Sequence, residues 1–500
     1  MISKVLSAIP CGFEGKIIEV EGDSNNGLPA FNIVGMANKT INEARERVKS
    51  AIVNSGFSFP NKRVTINLAP ADLNKDGTFL DLPIALSILV LSGQLLKSDL
   101  NNKLFVGELS LDGKLKPVRG IISTIEVAKS YGLREVFVPQ KNLNQAMLVS
   151  DIKIFGVDSL QNLFLHLKKE LKIPEQKISS INNSSKSQVP IFDHIRGQNF
   201  AKRALEIAIA GHHNILLSGP PGAGKTLLAR AAANLLPDLS PDEIIAVTKI
   251  HSLAGLTDNA ITARPFRAPH HTASPTAVIG GGPNALPGEI SLAHSGILFL
   301  DEIPEFPRSV LETLRQPLED HIITISRAQQ KSTYPADFML IATMNPCPCG
   351  YLGDPTHECK CSSSQIENYQ KKLSGPLFDR IDMNIAVDKV DNADLLKPLS
   401  NSTTEYDIAK ANIACALRRQ FTRYQKPGIF NSSLSSYQVS TLLQLSPTAE
   451  NLLKDASAKL NLSARAYFKT IKVARTIADL ADAEIIEQPH IAEALSFRKR

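Results

Sequence analysis

Five hundred residues exceed what one hydrophobic core organises, so about three domains are expected. With 43% hydrophobic and 21% charged residues the chain can bury several cores, which excludes a disordered polymer. A formal net charge of +6 permits a nucleic-acid partner without demanding one.

Met1 to Val5 lacks the apolar core of a secretory signal, and the apolar stretch Leu82 to Leu96, carrying Pro83, is too short to span a bilayer. That stretch reads as a buried helix, and the chain is expected in the cytoplasm with no membrane partner. Six cysteines in that compartment are expected to stay reduced, with Cys11 and Cys415 as isolated core residues. Residues 1–170 mix strand patterns (Lys16 to Glu21, Phe31 to Val34, Val64 to Leu68, Leu133 to Pro139) with a helix from Ile41 to Ser55, as in an α/β or α+β domain. Residues 171–190, with Ser179 to Gln188 at their centre, are too polar to bury a core and read as a flexible linker. A second unit, 191–392, opens with a helix reaching Ala210, then a strand, Asn214 to Ser218, and a helix, Thr226 to Leu235. A third, 393–500, is helical, with Ile408 to Tyr424, Thr448 to Leu460 and Ala464 to Ala481. No internal repeat is visible.

The second unit carries the chemistry. Gly219-Pro220-Pro221-Gly222-Ala223-Gly224-Lys225-Thr226 fits the phosphate-binding loop G-x-x-x-x-G-K-[ST]. Its glycines let backbone N–H groups turn towards phosphate oxygens. Lys225 brings a point charge, Thr226 a magnesium-ligating hydroxyl, and the following helix its positive end. An apolar strand leads in and a helix leads out, which is the required context. A second apolar strand, Gly296 to Leu300, delivers Asp301 and Glu302 to its C-terminal end, where open parallel sheets bind ligands. Asp301 suits magnesium, and Glu302 suits orientation or deprotonation of the attacking water. A third apolar strand ends in Asn345, which either caps a turn or reaches the γ-phosphate or water. Arg380, between Asp379 and Asp382, reads as a structural ion pair or as a finger for a neighbouring subunit's phosphate. Arg465, at the start of the last long helix, is placed for phosphate contact from a lid.

In this order these features resemble the AAA+ ATPases. More narrowly, Arg264 to Thr272, Gly288 to His294 and Ser374 to Asp382 are similar to the ComM/YifB group of magnesium-chelatase-like proteins. The resemblance implies an α/β multidomain chain: an N-terminal Lon-protease-like α+β domain of ribosomal S5 type, an α/β/α P-loop module and an all-helical lid. It also implies ATP and Mg2+ as cofactors and a homohexameric ring. It puts Asn345 at the sensor-1 position and Arg465 at the sensor-2 position.

Asn74 to Ala85, Gly107 to Gly113 and Leu115 to Gly120 resemble the Lon protease domain, which uses a serine nucleophile and a lysine base. Phe79 stands where the serine would be, and Ile121-Ile122-Ser123 where the lysine would be. The resemblance therefore implies the fold without peptidase activity; a rewired pair would have to use Ser123 and Lys75. A similar inactive domain in the RadA recombination protein sits on a ring that encloses DNA, which by analogy makes this one a DNA-guiding platform.

Cys347, Cys349, Cys359 and Cys361 form two C-x-C pairs. They read as a zinc knuckle, as reduced cysteines in a tight turn or as a redox sensor. Arg264, Arg267, His270 and His271 either contact a DNA backbone in a ring pore or brace a subunit interface. A hairpin from Ile322 to Ile341, with Arg327 and Lys331 near its polar tip, is a second strand-contact candidate or a solvated tip. The expected activity is ATP-driven branch migration on single-stranded and branched DNA during natural transformation, with recombinase partners. The alternative is a magnesium-chelatase-like remodelling ATPase of a protein or metal-insertion complex.

Overall fold

Strict alternation builds the first sheet: Val64, Ile66 and Leu68 are buried while Thr65 and Asn67 between them are not. The computed structural model describes all residues except 1, 36–39, 72, 74, 76–77, 177–190, 283–284, 327–330, 355–356, 391–403, 427 and 499–500. The sheet is mixed and seven-stranded, in the order Ala30–Val34, Arg63–Ala69, Glu14–Asn25, Ile2–Cys11, Lys103–Phe105, Glu135–Pro139, Lys153–Val157. At its centre the Ile2–Cys11 and Glu14–Asn25 strands pair as a long antiparallel hairpin, from Ile2 opposite Asp23 to Cys11 opposite Glu14.

The apolar stretch that raised the membrane question is the helix Asp81–Leu91, ending at Leu91 rather than Leu96, and every residue in it is buried. No described helix is long and apolar enough to cross a membrane. The one acid in this helix, Asp81, accepts two bonds from Arg47 (2.6 and 3.0 Å) and one from the Leu109 N–H (3.2 Å). Burial pushes its carboxyl up to about 6 against the pull of Arg47.

Where a Lon-type nucleophile would stand, Phe79 packs half-buried between two apolar clusters. The alternative pair is committed elsewhere. The buried Ser123 hydroxyl donates to Phe13 O (3.1 Å), and Lys75 Nζ donates to the carbonyls of Gly35 (3.0 Å) and Leu73 (3.3 Å), among others. The linker begins later than its composition suggests. Ile173 packs in the first core and the Gln176 N–H bonds Ile154 O (3.2 Å), so 171–176 belong to the first unit, while 177–190 lie outside the described residues.

The second sheet is wholly parallel, in the order Phe266–Arg267, Ile297–Leu300, Met339–Met344, Ile215–Ser218, Met383–Ala386. Its three central strands, Ile297–Leu300, Met339–Met344 and Ile215–Ser218, are near-continuous buried runs rather than alternating ones, as expected where both faces are covered. The helix expected from His194 to Ala210 is two, Ile191–His194 and Asn199–Gly211, because Gly197 and Gln198 between them adopt left-handed backbone (φ 58° and 56°). The helices Glu405–Tyr424, Ser436–Leu442, Pro447–Lys459, Ala464–Leu480 and Gln488–Ser496 form the last unit. Ile413 and Ile477 from it share one core with Leu205 and Ile209, so the helical unit and the sheet module are packed as one body of apolar side chains. Cys415 is exposed and Cys11 half-buried, so neither is the isolated core residue expected.

The helix Pro241–Leu253 joins the first unit to the second. Its Ser252 hydroxyl donates to Gln145 (2.8 Å) and accepts from the Gly120 N–H (3.1 Å). Its buried Lys249 pairs with Glu126 and lies over the Phe13 ring (4.0 Å). This helix begins at a capping box, Ser240 with Glu243.

Candidate active site

Three neighbouring strands of the parallel sheet point their C-terminal ends at one place, and the sheet order decides what meets there. The strand ending in Asn345 lies between the glycine-loop strand and the strand ending at Asp301, so the amide falls between the lysine and the two acids. Gly222 and Gly224 take left-handed backbone (φ 78° and 85°), which opens the loop that precedes the helix Lys225–Leu235. Gly219 runs hard against the chain after the last strand: a Cβ there would lie 2.1 Å from Val387 O.

Lys225 is buried, and its Nζ donates to Gly219 O (2.6 Å), Pro220 O (2.9 Å) and Asn345 Oδ1 (3.0 Å). Burial pushes this ammonium down, and the nearby Asp301 and Glu302 charges only partly restore it. The Asn345 Nδ2 donates to Glu302 Oε1 (3.3 Å), so one amide spans from the lysine to the acid. Thr226 Oγ1 donates to Asp301 Oδ2 (3.3 Å). Two cis ligand oxygens of an octahedral magnesium stand about 3.0 Å apart, so this pair fits that ion. Glu302 adopts left-handed backbone (φ 51°), a strained conformation for a residue with a side chain.

Thr343 was missed from sequence. Its hydroxyl donates to Asp301 Oδ1 (2.5 Å) and accepts from the Glu302 N–H (2.9 Å), so it holds both acidic residues. The available signal was a single hydroxyl in an otherwise apolar strand, two residues before Asn345.

The two arginines do not join this group. Arg380 pairs with Glu319 (2.6 Å) and donates to Pro376 O (2.6 Å) and Arg315 O (3.2 Å). Arg465 pairs with the same Glu319. Both line a cleft of about 550 Å³ that contains no glycine-loop residue. Contact between Arg465 and the glycine loop of its own chain is therefore not what the fold presents.

The four clustered cysteines converge. Their Sγ atoms lie within 4.8 Å of one another, with Cys347–Cys349 at 3.3 Å and Cys359 at 3.6 Å from each of those two. A disulfide needs about 2.05 Å, whereas a tetrahedral zinc with Zn–S of about 2.3 Å sets sulfurs about 3.8 Å apart. The Tyr351 N–H draws the Cys349 thiol down to about 6. At Cys359 the Cys361 N–H acts the same way, but desolvation and the neighbouring sulfurs outweigh it and push the thiol up to about 12. Four sulfurs this close could hold a metal ion once their thiols are deprotonated.

The strand-contact candidates separate. All five Arg264 N–H groups are spent within the chain, on Glu243 (2.8 and 3.0 Å) and on the carbonyls of Pro237, Asp238 and Ser295. Arg267 is locked bidentately on Glu289 (2.6 and 2.6 Å). Both are internal braces, so the expected phosphate contact is withdrawn for them. His270 is exposed, bonded to Thr272 (2.8 Å) and packed on the half-buried His271. Lys331 is exposed on the second strand of a hairpin, Ile322–Ser326 with Lys331–Pro335. That strand stops at Pro335, and Met339–Met344 is a separate strand of the parallel sheet. Arg327 lies outside the described residues.

Comparisons with known proteins agree with this arrangement. Family models match in three segments: "Subunit ChlI of Mg-chelatase" over 20–142, "Magnesium chelatase, subunit ChlI" over 191–395, and "Magnesium chelatase, subunit ChlI C-terminal" over 404–498. The chain is 43% identical to the competence protein ComM of Haemophilus influenzae, across 99% of this chain and 97% of that one. It is 41% identical to YifB of Escherichia coli, across 99% and 97%. The magnesium-chelatase 67 kDa subunit of Chlorobaculum tepidum is 26% identical over 31% of this chain and 23% of its own. With its glycine loop, acidic strand end and bridging asparagine on one parallel sheet, and with near full-length identity to these relatives, the chain belongs to the ComM/YifB family of magnesium-chelatase-like AAA+ proteins.

Proposed function

We propose that this protein hydrolyses ATP as a hexameric ring and uses the energy to migrate DNA branches, helping single strands join a chromosome during natural transformation. The observation that carries the ring is the placement of Arg380 and Arg465. Both sit on Glu319, at a cleft away from the glycine loop of their own chain. Neither can serve the nucleotide of its own chain from there, so a catalytic role requires exchanging Glu319 for a phosphate brought by the next subunit. Within each subunit Lys225 and the loop N–H groups hold the phosphates. Thr226 and Asp301 hold Mg2+, which neutralises developing charge when bound. Glu302, steadied by Asn345, orients the water. The N-terminal unit is read as a Lon-like platform without peptidase chemistry, the helical unit as the lid, and the four cysteines as a zinc knuckle. His270, His271, Lys331 and Arg327 remain the strand-contact candidates. The relative named a competence protein supports the transformation role.

A remodelling ATPase for a protein or metal-insertion complex is the second reading. It is favoured by the locking of Arg264 and Arg267 on Glu243 and Glu289, which removes two cations from the proposed DNA path. The deciding experiment measures ATP hydrolysis with and without DNA beside a three-strand branch-migration assay, with Lys225→Ala and Arg380→Ala as controls. DNA-stimulated hydrolysis and strand movement lost in both variants supports the motor. Robust hydrolysis indifferent to every DNA sinks it.

A further inference from the structure

The cysteine knuckle and the glycine loop are adjacent in space although more than a hundred residues separate them in sequence. After Asn345 the chain makes the turn Pro346–Gly350, closed by the Gly350 N–H on Cys347 O (3.0 Å). Gly350 takes left-handed backbone (φ 84°) and abuts the otherwise exposed Pro221 of the glycine loop. A Cβ at position 350 would lie 2.7 Å from Pro221 Cδ and 2.8 Å from Cγ. On the other side, Cys361 leads into the helix Ser363–Lys371, whose Gln370 returns to bond Pro346 O (3.3 Å). Among the described residues from 346 to 362, Cys347 is the one that enters the buried hydrophobic set. Apolar packing fixes little of this segment: the buried Asp354 side chain is held by Lys389 (2.6 Å) and Tyr351 stacks on His357, and the sulfur cluster is what can tie the two C-x-C ends together.

We propose that Cys347, Cys349, Cys359 and Cys361 bind a zinc ion that is coupled to nucleotide at the glycine loop, so that each ligand tightens the other. The ion takes four sulfurs and the thiol protons leave to solvent, with no change of oxidation state. Two links transmit the effect. Gly350 fixes the position of Pro221 from outside the loop, and the two-residue step from Cys347 back to Asn345 fixes the amide that grips Lys225 and Glu302. The proposal rests on reading the glycine loop as an ATP site and adds a regulator to it. Zinc availability sets how well the site is formed.

Linkage makes the test reciprocal. Purified full-length protein is assayed for metal by atomic emission. Zinc release to a chromogenic chelator is then timed with and without Mg-ATPγS, and the Kd of a fluorescent ATP analogue is measured before and after zinc is stripped. One zinc per chain is expected, with release slowed by nucleotide and the nucleotide Kd weakened about fivefold or more on stripping. Gly350→Ala keeps all four thiolates but pushes on Pro221, so it retains zinc and loses the coupling. Absence of stoichiometric zinc overturns the proposal, as does zinc release that ignores bound nucleotide. If the zinc-loaded protein binds no nucleotide at all, the ATP reading falls and takes the coupling with it. That outcome is distinct from both ligands binding independently, which overturns the coupling alone.

Discussion

Replacing Asn345 with alanine tests the geometry of the proposed ATP site directly. The amide makes two bonds of different kinds: it accepts from Lys225 Nζ at 3.0 Å and donates to Glu302 at 3.3 Å. Lys225 keeps Gly219 O and Pro220 O when the amide is lost, so its buried ammonium is not orphaned. The loss to nucleotide binding is then that of one hydrogen bond, about 0.5–1.5 kcal/mol, or about two- to tenfold in Kd. Glu302 has more to lose, because this is the side-chain donor that holds its carboxylate. A reacting group misplaced by about 1 Å costs on the order of a hundredfold in rate. The expected result is kcat lowered about a hundredfold with Kd weakened less than about tenfold. Steady-state hydrolysis and fluorescent-nucleotide titration on the same preparation measure both, with a thermal melt to establish that the variant is folded. A large loss of affinity with kcat intact would refute the water-positioning role and make Asn345 a binding residue. An unchanged kcat would refute any role for the bridge.

Ring catalysis predicts complementation: Arg380→Ala and Lys225→Ala are each inactive alone, yet mixing them equally regenerates roughly a quarter of the intersubunit sites intact. Hydrolysis assayed on the mixture should recover accordingly, and no recovery despite ring assembly seen by light scattering would argue against action across the interface. Asp382 ties the C-terminal helical unit to the sheet through Lys469 (3.3 Å), the Asn214 N–H (3.0 Å) and His213 (3.7 Å). Burial pushes its carboxyl up, but these partners outweigh burial and hold it well below the ordinary carboxylate range. A depressed pKa contributes stability that is present above the unfolded value, near 4, and is lost as pH falls below it. Asp382→Asn should cost about 3 kcal/mol at neutral pH and flatten the acid limb of the stability profile. Urea melts across pH 3 to 7 check this, and an acid limb as steep as the parent's would contradict it.

The local punctuation of the chain was legible in its sequence because it is written in residue types with one physical use. Gly219 to Thr226, the apolar run into Asp301-Glu302 and the paired cysteines each announce phosphate, magnesium or metal chemistry without reference to anything distant. The buried helix at Asp81–Leu91 was equally plain, since no amphipathic face was left to place. What the sequence could not supply is which partner each side chain finds, because that is set by strand order and by residues far apart along the chain. Arg264 and Arg267 look like free cations in a basic segment until Glu243 and Glu289 are brought against them. Arg380 and Arg465 look like two separate phosphate contacts until the fold places both on Glu319. Thr343 is one hydroxyl in a strand until the parallel sheet sets it beside Asp301. Gly350 is one more turn glycine until it comes to rest on Pro221. Spacing specifies the chemistry a group can perform, whereas only tertiary packing decides whether its hydrogen-bonding capacity is spent within the chain or left for a ligand.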